Sequence, residues 1–340
     1  MKQIILSICI PTYNRAQYIC EAIESVLVQI TPDIKDKIEI CISDNASTDD
    51  TEVIVNNYKN KDICNIVYHK NTENIGADRN FLKVIEIANG KYCWWLGSDD
   101  ALETNILKNL LSIVTNTQND FYLLTQNCYD ITLTRRQKCN QHELLNKKDG
   151  VLNINDLMNK SIYLLGFLSV LIVKKDIFIQ KMPLDEKYIG SMYIHTYKIL
   201  YAINNGSTMY FIREPMIKWR ADNDSFLEDL KVYGRIKIDI NGYSSIASDV
   251  FGNYSENYKN IIKIRIVNNM IRFMFLLKIA NVPPKDIVEL FEPIKIFEKE
   301  YIKMLLLAYS PRFIYKFSKY LYRNVFKSIK IKITNKVIKK

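Results

Sequence analysis

The fold is most clearly indicated by one stretch of the sequence, Lys91-Tyr92-Cys93-Trp94-Trp95-Leu96-Gly97-Ser98-Asp99-Asp100. Its aromatic and apolar first half, which follows Gly90, indicates a strand that is buried on both faces. The strand ends in two adjacent carboxylates. Ligands of open α/β sheets bind beyond the carboxyl ends of strands, and paired carboxylates suit Mg²⁺ or Mn²⁺ together with phosphates. The alternative is a polar turn in which Asp99 caps the next helix.

Strands and helices alternate before this stretch. Apolar runs predict strands at residues 4–11, 37–43 and 65–69, and helical periodicity predicts helices at residues 17–30 and 77–89. Repeated alternation of this kind is typical of a mainly parallel sheet with helices on both faces. The predicted fold class is therefore α/β.

Each of these strands ends in a polar loop. Right-handed crossovers place the carboxyl ends of parallel strands, and the loops that follow them, at one edge of the sheet. Four loops are expected to converge there, at residues 12–15, 44–49, 74–79 and 99–100. Their convergence predicts a shared crevice, which is the first functional signal in the sequence.

The pattern changes after Leu102. The later predicted elements are a helix at 104–117, strands at 121–126 and 167–173, a helix at 191–204, and two short strands within 208–219 that bend at Pro215. Helical patterns dominate from Phe226 onward. The sequence therefore predicts a first domain at residues 1–225 and a helical C-terminal region at residues 226–340.

The net charge of +10 is concentrated at the end of the chain. Residues 301–340 contain 11 basic and no acidic side chains, whereas residues 1–300 carry 36 basic and 37 acidic ones. The seven cysteines include no C-x-x-C pair, a pattern that fits a reducing compartment. Because there is also no signal-peptide pattern, and no apolar run of the roughly 20 residues that span a bilayer, we expect a cytoplasmic protein.

The four loops carry recognisable motifs. They are Ser7-Ile8-Cys9-Ile10-Pro11-Thr12-Tyr13-Asn14-Arg15, Ser43-Asp44-Asn45-Ala46-Ser47-Thr48-Asp49, Asn74-Ile75-Gly76-Ala77-Asp78-Arg79-Asn80 and Gly97-Ser98-Asp99-Asp100. Together and in this order they resemble family 2 of the GT-A-fold glycosyltransferases, enzymes that move a sugar from a nucleotide-sugar donor. The short form of the loops is similar to bacterial abequosyltransferase-like members. The resemblance implies a GT-A type sheet and assigns residues 1–225 to donor binding and catalysis.

The resemblance also implies which residues contact the donor. Pro11 and Thr12 would lie beside the nucleotide base, and Asp44 would form a hydrogen bond to it. Arg79 would lie near the ribose or the phosphates. The matching loops add three further donor contacts, namely Arg15, Asn74 and Gly76.

Asp99 would ligate the Mg²⁺ or Mn²⁺ ion that bridges the donor diphosphate, with Asp100 beside it. A cation held by carboxylates acts as a Lewis acid and neutralises the charge of the leaving group. The family commonly has Asp-x-Asp-Asp at this point, whereas this chain has Gly97-Ser98-Asp99-Asp100. One carboxylate is therefore missing, so that metal binding is weaker or water takes that position.

The catalytic base stays open in the sequence. Inverting family members carry an Asp, often after a Glu, before a helix about 90 residues beyond the metal site, and this chain has no such pair. His195 is one candidate, since imidazole titrates near neutral pH. Asp185 and Glu186 are the other candidates if their loop folds inward. The alternative for His195 is an ordinary packed histidine in a helix.

Arg220 occupies the place of the family's Arg-x-His loop, which closes near the diphosphate. The segment reads Trp219-Arg220-Ala221-Asp222-Asn223-Asp224-Ser225, with Asn223 roughly where the His would be. Arg220 is a candidate phosphate ligand. A surface loop with Ser225 as a helix cap is the alternative.

The basic residues of the tail repeat at helical spacing. They fall at 312, 316, 319, 323, 327 and 330, which is one face of a helix, and apolar side chains lie opposite. A basic amphipathic helix with aromatic edges suits an anionic membrane surface. A solvated tail is the alternative, and we expect no nucleic-acid partner because no recognition motif accompanies the charges.

The predicted function is divalent-metal-dependent transfer of a hexosyl or deoxyhexosyl group from a nucleotide-diphospho-sugar. The acceptor expected is a glycan or lipid-linked glycan of a bacterial surface polysaccharide, such as lipopolysaccharide or capsule, at the inner face of the cell membrane. A sugar-phosphate nucleotidyltransferase is the enzymatic alternative, although a glycine-rich phosphate loop after the first strand is absent. A catalytically inactive membrane-associated homologue is the other alternative.

Overall fold

The computed structural model describes residues 3–137, 148–158, 162–221, 223 and 226–311. The strands are β1 (Leu6–Thr12), β2 (Ile38–Asp44), β3 (Asn65–Lys70), β4 (Tyr92–Trp95), β5 (Ala101–Leu102), β6 (Phe121–Tyr129), β7 (Arg136–Gln137), β8 (Gly150–Val151), β9 (Leu171–Lys174) and β10 (Met209–Arg220). The helices of the sheet-containing part are α1 (Ala16–Leu27), α2 (Thr51–Lys59), α3 (Ala77–Glu86), α4 (Leu107–Thr117), α5 (Ile154–Asp156), α6 (Lys175–Phe178), α7 (Asp185–Tyr188) and α8 (Ile194–Asn204).

The described strands form one mixed sheet in the order β3-β2-β1-β4-β9-β6-β10-β5, with β7 paired to β6 and β8 to β10. Strands β3, β2, β1 and β4 run parallel. Strand β9 is antiparallel to both β4 and β6, and β6 is parallel to β10. The carboxyl ends of β1, β2, β4, β6 and β10 therefore share one edge. The α/β fold with flanking helices is confirmed, and the antiparallel β9 makes the sheet mixed.

The core of the sheet lies where the apolar runs predict it. Every residue of β1, β2 and β4 is buried. Trp95 packs edge-on against Phe178, with ring centroids 4.9 Å apart. Trp94 donates from its indole nitrogen to the carbonyl of Ser169 at 2.8 Å, so its one polar group is satisfied inside the core. These contacts hold the end of β4 firmly in the sheet.

Two predicted strands differ from the structure. The segment predicted as a strand at 167–173 begins with a 3₁₀ turn at Leu168–Val170 and becomes strand only in β9. The two short strands predicted around Pro215 are one strand, β10, whose pairing with β6 shifts register on either side of Pro215. Such an irregularity accommodates a residue that has no N–H to donate, so the proline does not end the strand.

Contacts divide the chain into two compact units, Met1–Asp224 with Asp249–Gly252, and Ser225–Ser248 with Asn253–Lys340. The later helices are α9 (Phe226–Phe251), α10 (Glu256–Ile262), α11 (Met270–Ile279), α12 (Pro284–Leu290) and α13 (Glu298–Tyr309). Helix α9 is kinked at Lys231, where φ is 52°. Among the described residues, no helix combines the length and the apolar character that a bilayer span requires. The predicted basic face of the tail lies outside the described residues.

Candidate functional site

Asp99 and Asp100 lie just beyond β4, and three other segments fix them. Asp100 is buried, and its Oδ2 accepts a hydrogen bond from Ser169 Oγ at 2.5 Å. Its Oδ1 accepts one from the backbone N–H of Arg220 at 3.1 Å. Asp99 Oδ2 accepts one from Asn223 Nδ2 at 2.6 Å. The carboxylate pair is therefore preorganised by the 3₁₀ turn that precedes β9, by the end of β10 and by Asn223 beyond it.

The two carboxylates oppose each other electrostatically. Burial, and after it the neighbouring charge of Asp99, raises the pKa of Asp100 to about 8. Burial also raises the pKa of Asp99, against the opposing charges of Arg15 and Arg220. Additional positive charge placed at the pair would stabilise both carboxylates in their ionised form.

Gly97 makes room for this pair. A Cβ atom on Gly97 would lie 2.9 Å from Asp100 Oδ2, 3.1 Å from Asp99 Oδ1 and 3.2 Å from Ser169 Oγ. Any side chain there would displace the carboxylates. The residue that replaces the family's first aspartate is therefore the residue that lets the other two fold back over the turn.

The carboxylate oxygens of Asp99 and Asp100 suit a hard divalent cation that takes few protein ligands. Among the described residues no group of three or more acidic, histidine or cysteine side chains could hold a metal ion. Mg²⁺ typically binds through one or two carboxylates and completes its shell with substrate phosphates and water. Asp99, which is less buried than Asp100, is the better placed of the two to contact such an ion.

The guanidinium of Arg220, a predicted phosphate ligand, is directed into the protein. Its side chain is buried, and Nε donates to the carbonyl of Asp99 at 2.7 Å. The other two guanidinium nitrogens contact the Glu21 carboxylate and the Ile131 carbonyl. The guanidinium also lies 4.6 Å from the ring centroid of Tyr18. Arg220 therefore braces the turn that carries Asp99, because its donors are directed into the protein.

The loops after β1 and β2 interlock. The backbone N–H of Asn14 donates to Ser47 Oγ at 2.8 Å, and Asn14 Oδ1 accepts from the N–H of Thr48 at 2.9 Å. The N–H of Ala16 donates to Asp49 Oδ2 at 2.9 Å. These reciprocal bonds bring together two of the four loops that the sequence predicts to converge.

The predicted base-binding residues lie at the same place. Asp44 is buried, and its two oxygens accept from the N–H of Ser47 at 2.8 Å and from the hydroxyl of Tyr68 at 2.7 Å. Pro11 is buried in β1, and Thr12 pairs with Asp44 in register. The Thr12 hydroxyl is buried and has no hydrogen-bond partner within the described part of the chain. A ligand hydrogen bond there would recover the roughly 1–3 kcal/mol that an unsatisfied buried group costs.

Four amide side chains tie the third loop to the first two, and we call them the asparagine cluster (Asn45, Asn71, Asn74 and Asn80). Asn45 Nδ2 donates to Asn74 Oδ1 at 2.7 Å, and Asn71 Nδ2 bridges Asn45 and Asn80 at 3.2 Å each. Asn74 Oδ1 also accepts from the N–H of Gly76, whose φ of 83° favours glycine. The predicted contacts Asn74 and Gly76 thus shape the loop itself.

Asp78 fixes the loop that precedes α8. Its oxygens accept from the N–H of Met192 at 2.7 Å and the N–H of Ile194 at 3.3 Å, with further bonds from Gly190 and Ser191. Burial raises the pKa of Asp78 against these bonds. The loop adopts positive φ at Gly190 and Met192, so α8 begins three residues later than the predicted helix.

His195 is buried in the core, in agreement with the alternative of a packed histidine in a helix. Its ring contacts those of Phe81 and Trp95, with centroids 5.9 and 6.2 Å apart, and both ring nitrogens are buried. Burial lowers the pKa of His195 to about 3. An imidazole that is inaccessible and neutral at physiological pH does not suit the predicted role of a base.

The other two candidate bases differ in accessibility. Asp185 Oδ2 accepts from Lys198 Nζ at 3.0 Å and from the N–H of Met182 at 2.9 Å, and its side chain is mostly buried. Glu186 is exposed and lies 4.0 Å from the guanidinium of Arg79, which is itself exposed. Arg79 is therefore accessible at the predicted donor edge.

Sequence reasoning missed several residues that build the site, namely Ser169, Glu21, Tyr18 and Asp78. Ser169 lies 69 positions from the carboxylate that it contacts, and Glu21 lies 199 positions from Arg220. Their residue types are common, so no local pattern marks them. Asp78 lies inside a recognised motif, and its carboxylate in the first turn of a helix is the signal that could have identified it.

Known proteins are similar to this chain over most of its length. The family model described as "Glycosyl transferase family 2" matches residues 7–177. Abequosyltransferase RfbV of Salmonella typhimurium is 36% identical over 278 residues, which cover 78% of this chain and 80% of that protein.

Two solved structures share the fold. S. aureus TarS 1-349 in complex with UDP matches with a TM-score of 0.54 and 18% identity, covering 89% of each chain. Mannosyltransferase PcManGT from Pyrobaculum calidifontis, in complex with GDP-Man and Mn²⁺, matches with a TM-score of 0.51 and 11% identity, covering 91% of this chain and 86% of that one. At these identities the two structures identify the architecture alone.

Proposed function

Because the chain belongs to glycosyl transferase family 2, we propose that it transfers a hexosyl or deoxyhexosyl group from a nucleotide-diphospho-sugar to a glycan or lipid-linked glycan, with the help of Mg²⁺ or Mn²⁺. The observation that carries the proposal is the carboxylate pair Asp99 and Asp100, fixed at the edge of the sheet by Ser169, Arg220 and Asn223. The raised pKa values of both carboxylates support a partner of positive charge at this place.

Asp99, with Asp100 beside it, would hold the divalent cation, which when bound neutralises the diphosphate leaving group. Arg15 lies close enough to oppose the rise in the pKa of Asp99, and it would contribute positive charge on the same side. Arg79 is exposed at the start of α3 and would meet the ribose or the phosphates. The buried hydroxyl of Thr12, next to Asp44, has no hydrogen-bond partner among the described residues and would donate to or accept from the nucleoside.

Glu186 and Asp185 are the two carboxylates proposed as the catalytic base. Glu186 is the candidate with an exposed carboxylate, and its neighbour Arg79 would connect it to the donor side. Asp185 would first have to leave Lys198. We therefore rank Glu186 above Asp185 as the residue that accepts the proton of the acceptor hydroxyl.

The donor can be identified by thermal shift, because a ligand that binds only the folded state raises the Tm by mass action. The panel contains UDP-, CDP-, GDP- and dTDP-sugars with and without Mn²⁺. It includes an abequose donor, since one relative is named an abequosyltransferase. We expect one nucleotide to stabilise the protein in a manner that depends on Mn²⁺, and slow release of the matching nucleoside diphosphate.

The carboxylate pair is tested by Asp99→Asn, with the exposed Asp50→Asn as the matched control. We expect Asp99→Asn to lower kcat at least about a hundredfold, as the loss of a main electrostatic group does, and to abolish the Mn²⁺-dependent part of the thermal shift. Undiminished turnover in Asp99→Asn would remove the pair from the mechanism. Exchange of pyrophosphate by the parent protein would instead indicate a nucleotidyltransferase. If the parent catalyses neither reaction, it is an inactive homologue.

A membrane-bound acceptor is proposed from the charge of the tail. Residues 312–340 contain ten Lys and Arg and no Asp or Glu. Such a segment is attracted to anionic lipid by roughly 1 kcal/mol for each cation near the surface. The proposed location is therefore the inner face of a bacterial cell membrane, where lipid-linked glycans of a surface polysaccharide would be extended.

A further inference from the structure

Helix α13 presents three large apolar side chains to solvent on one side. Ile302, Leu306 and Tyr309 are 52%, 71% and 66% exposed. Their spacings of four and three residues place them on one face of the helix. Met304 and Ala308 on the opposite side are buried. We call Ile302, Leu306 and Tyr309 the α13 face.

The α13 face has basic neighbours. Lys299 and Lys303 are exposed along its flank, whereas acidic Glu298 lies one turn before Ile302. The surroundings of the face are thus acidic only at the first turn of α13 and become apolar and basic toward Tyr309. An apolar strip with lysines beside it is the arrangement of helices that lie in the interface of an anionic bilayer.

The chain that follows has the same chemistry. Helix α13 ends at Tyr309, and 29 residues, 312–340, lie outside the described part of the chain. Their sequence carries ten cations, no carboxylate side chain, and apolar or aromatic residues between the cations. The α13 face is therefore the part of the described unit that lies next in the chain to the proposed membrane segment.

We propose that the α13 face docks on an anionic lipid bilayer, with Ile302, Leu306 and Tyr309 inserted at the boundary between headgroups and acyl chains. The inference rests on the proposed function only for the choice of a membrane as the surface. Lysines flank the face and cations fill the tail, so folding of the tail onto the face would bring like charges together. Anionic headgroups complement both.

The test uses the full chain with Ile302→Ser, Leu306→Ser and Tyr309→Ser combined. The matched control combines Val28→Ser, Val53→Ser and Ile179→Ser, whose parent side chains are 77%, 59% and 53% exposed in the other unit. Binding is measured by sedimentation with phosphatidylcholine vesicles that contain 30% phosphatidylglycerol or none. Since three large apolar side chains would leave the bilayer, we expect the α13 variant to bind the anionic vesicles at least about tenfold more weakly. The control should bind like the parent.

A second variant reports insertion directly. In Leu306→Trp, the added indole fluorescence should be quenched by brominated acyl chains in anionic vesicles, whereas Val53→Trp should not respond. Equal vesicle binding by parent and α13 variant, or no quenching of Leu306→Trp, would overturn the proposal. A parent dimer that the α13 variant converts to a monomer, without any change in vesicle binding, would assign the face to a second copy instead.

The two proposals fail separately. Transfer to a soluble acceptor should be unchanged in the α13 variant, because none of the residues that hold the carboxylate pair is replaced. Loss of vesicle binding with retained transfer supports the docking face. Absence of transfer in the parent with every donor would contradict the proposed function and leave the vesicle result to be judged on its own.

Discussion

Asp78 and Glu39 are buried carboxylates that fasten backbone at two different places in the sheet-containing unit. Asp78 accepts from the loop before α8, as described above. Glu39 lies near the start of β2 and accepts from Ser7 Oγ at 2.6 Å and from the N–H and side chain of Asn89. At both carboxylates, N–H and O–H groups of the protein take the place of hydrating water. Asp78 lies within the predicted donor loop at residues 74–79, whereas Glu39 lies at the opposite end of β2 from its loop. The two buried carboxylates therefore make a matched pair.

We predict that Asp78→Asn lowers kcat by about tenfold or more, because the loop before α8 would move and misplaced groups in an active site cost rate steeply. Stability should fall by about 1–3 kcal/mol, since an amide cannot accept all four N–H bonds. Glu39→Gln should lose similar stability and keep its kcat. Urea unfolding and steady-state kinetics well below the Tm check both variants. Equal losses of kcat in the two variants would reduce Asp78 to a structural role.

Single residues also mark how far the sequence could predict the site. Asp99, Asp100 and Thr12 carry motif chemistry at strand ends, and the structure places them at the carboxyl edge of the sheet. Arg220 was predicted in the right region, but its guanidinium is directed inward because Glu21 and Tyr18 face it from α1. Those partners are set by tertiary packing, and no spacing within the sequence encodes them.

At the scale of elements, the asparagine cluster joins the ends of β1, β2 and β3 to α3. Asn80 lies at its centre, where Oδ1 accepts from Ser43 Oγ at 2.7 Å and Nδ2 donates to the Ser43 carbonyl at 3.0 Å. The Thr12 carbonyl also faces Nδ2, at 3.4 Å. A side chain that both donates and accepts is therefore required at this position.

We predict that Asn80→Asp destabilises the protein by about 1–3 kcal/mol, because a carboxylate facing two carbonyls loses its donor and gains repulsion. Donor-induced stabilisation should fall as well, since the loops after β1, β2 and β3 would separate. Asn57→Asp, at an exposed amide on α2, is the control and should change stability little. Urea unfolding with and without nucleotide measures both effects. A stable Asn80→Asp variant with normal donor response would show that the loops hold together without the cluster.

Elements were predicted well where hydrophobic periodicity was local. Strands β1, β2 and β3 and helices α1 and α3 lie within a few residues of their predicted bounds. The failures occur where long-range contacts decide. Strand β10 runs through Pro215 because β6 continues to pair with it, and α8 begins late because Asp78 holds the preceding loop. Neither partner lies within the window that periodicity samples.

At the scale of the whole molecule, charge is segregated along the sequence. The first 300 residues are nearly neutral, with 36 basic and 37 acidic side chains, and the last 40 carry 11 basic and no acidic ones. A nearly neutral body gives no general attraction to anionic lipid or nucleic acid. Electrostatic attraction to a surface should therefore depend on the tail, while apolar contact depends on the α13 face.

This separation yields a prediction about salt. Replacement of the cations at 312, 316, 319, 323, 327 and 330 by Gln lowers the net charge from +10 to +4. We expect binding to anionic vesicles to weaken by about a hundredfold or more at low salt, because each cation near the surface contributes roughly 1 kcal/mol. The dependence of binding on salt should also flatten, since screened charges cause it. Sugar transfer to a soluble acceptor should persist.

The control must carry the same net charge. Six exposed lysines outside the tail serve for this, each replaced by Gln, namely Lys37, Lys59, Lys61, Lys148, Lys181 and Lys285. If binding follows total charge, both variants weaken alike and the tail has no special role. If binding follows position, only the tail variant weakens, and its residual binding should then disappear on combination with the α13 variant, because the apolar contact is what remains when the cations are gone.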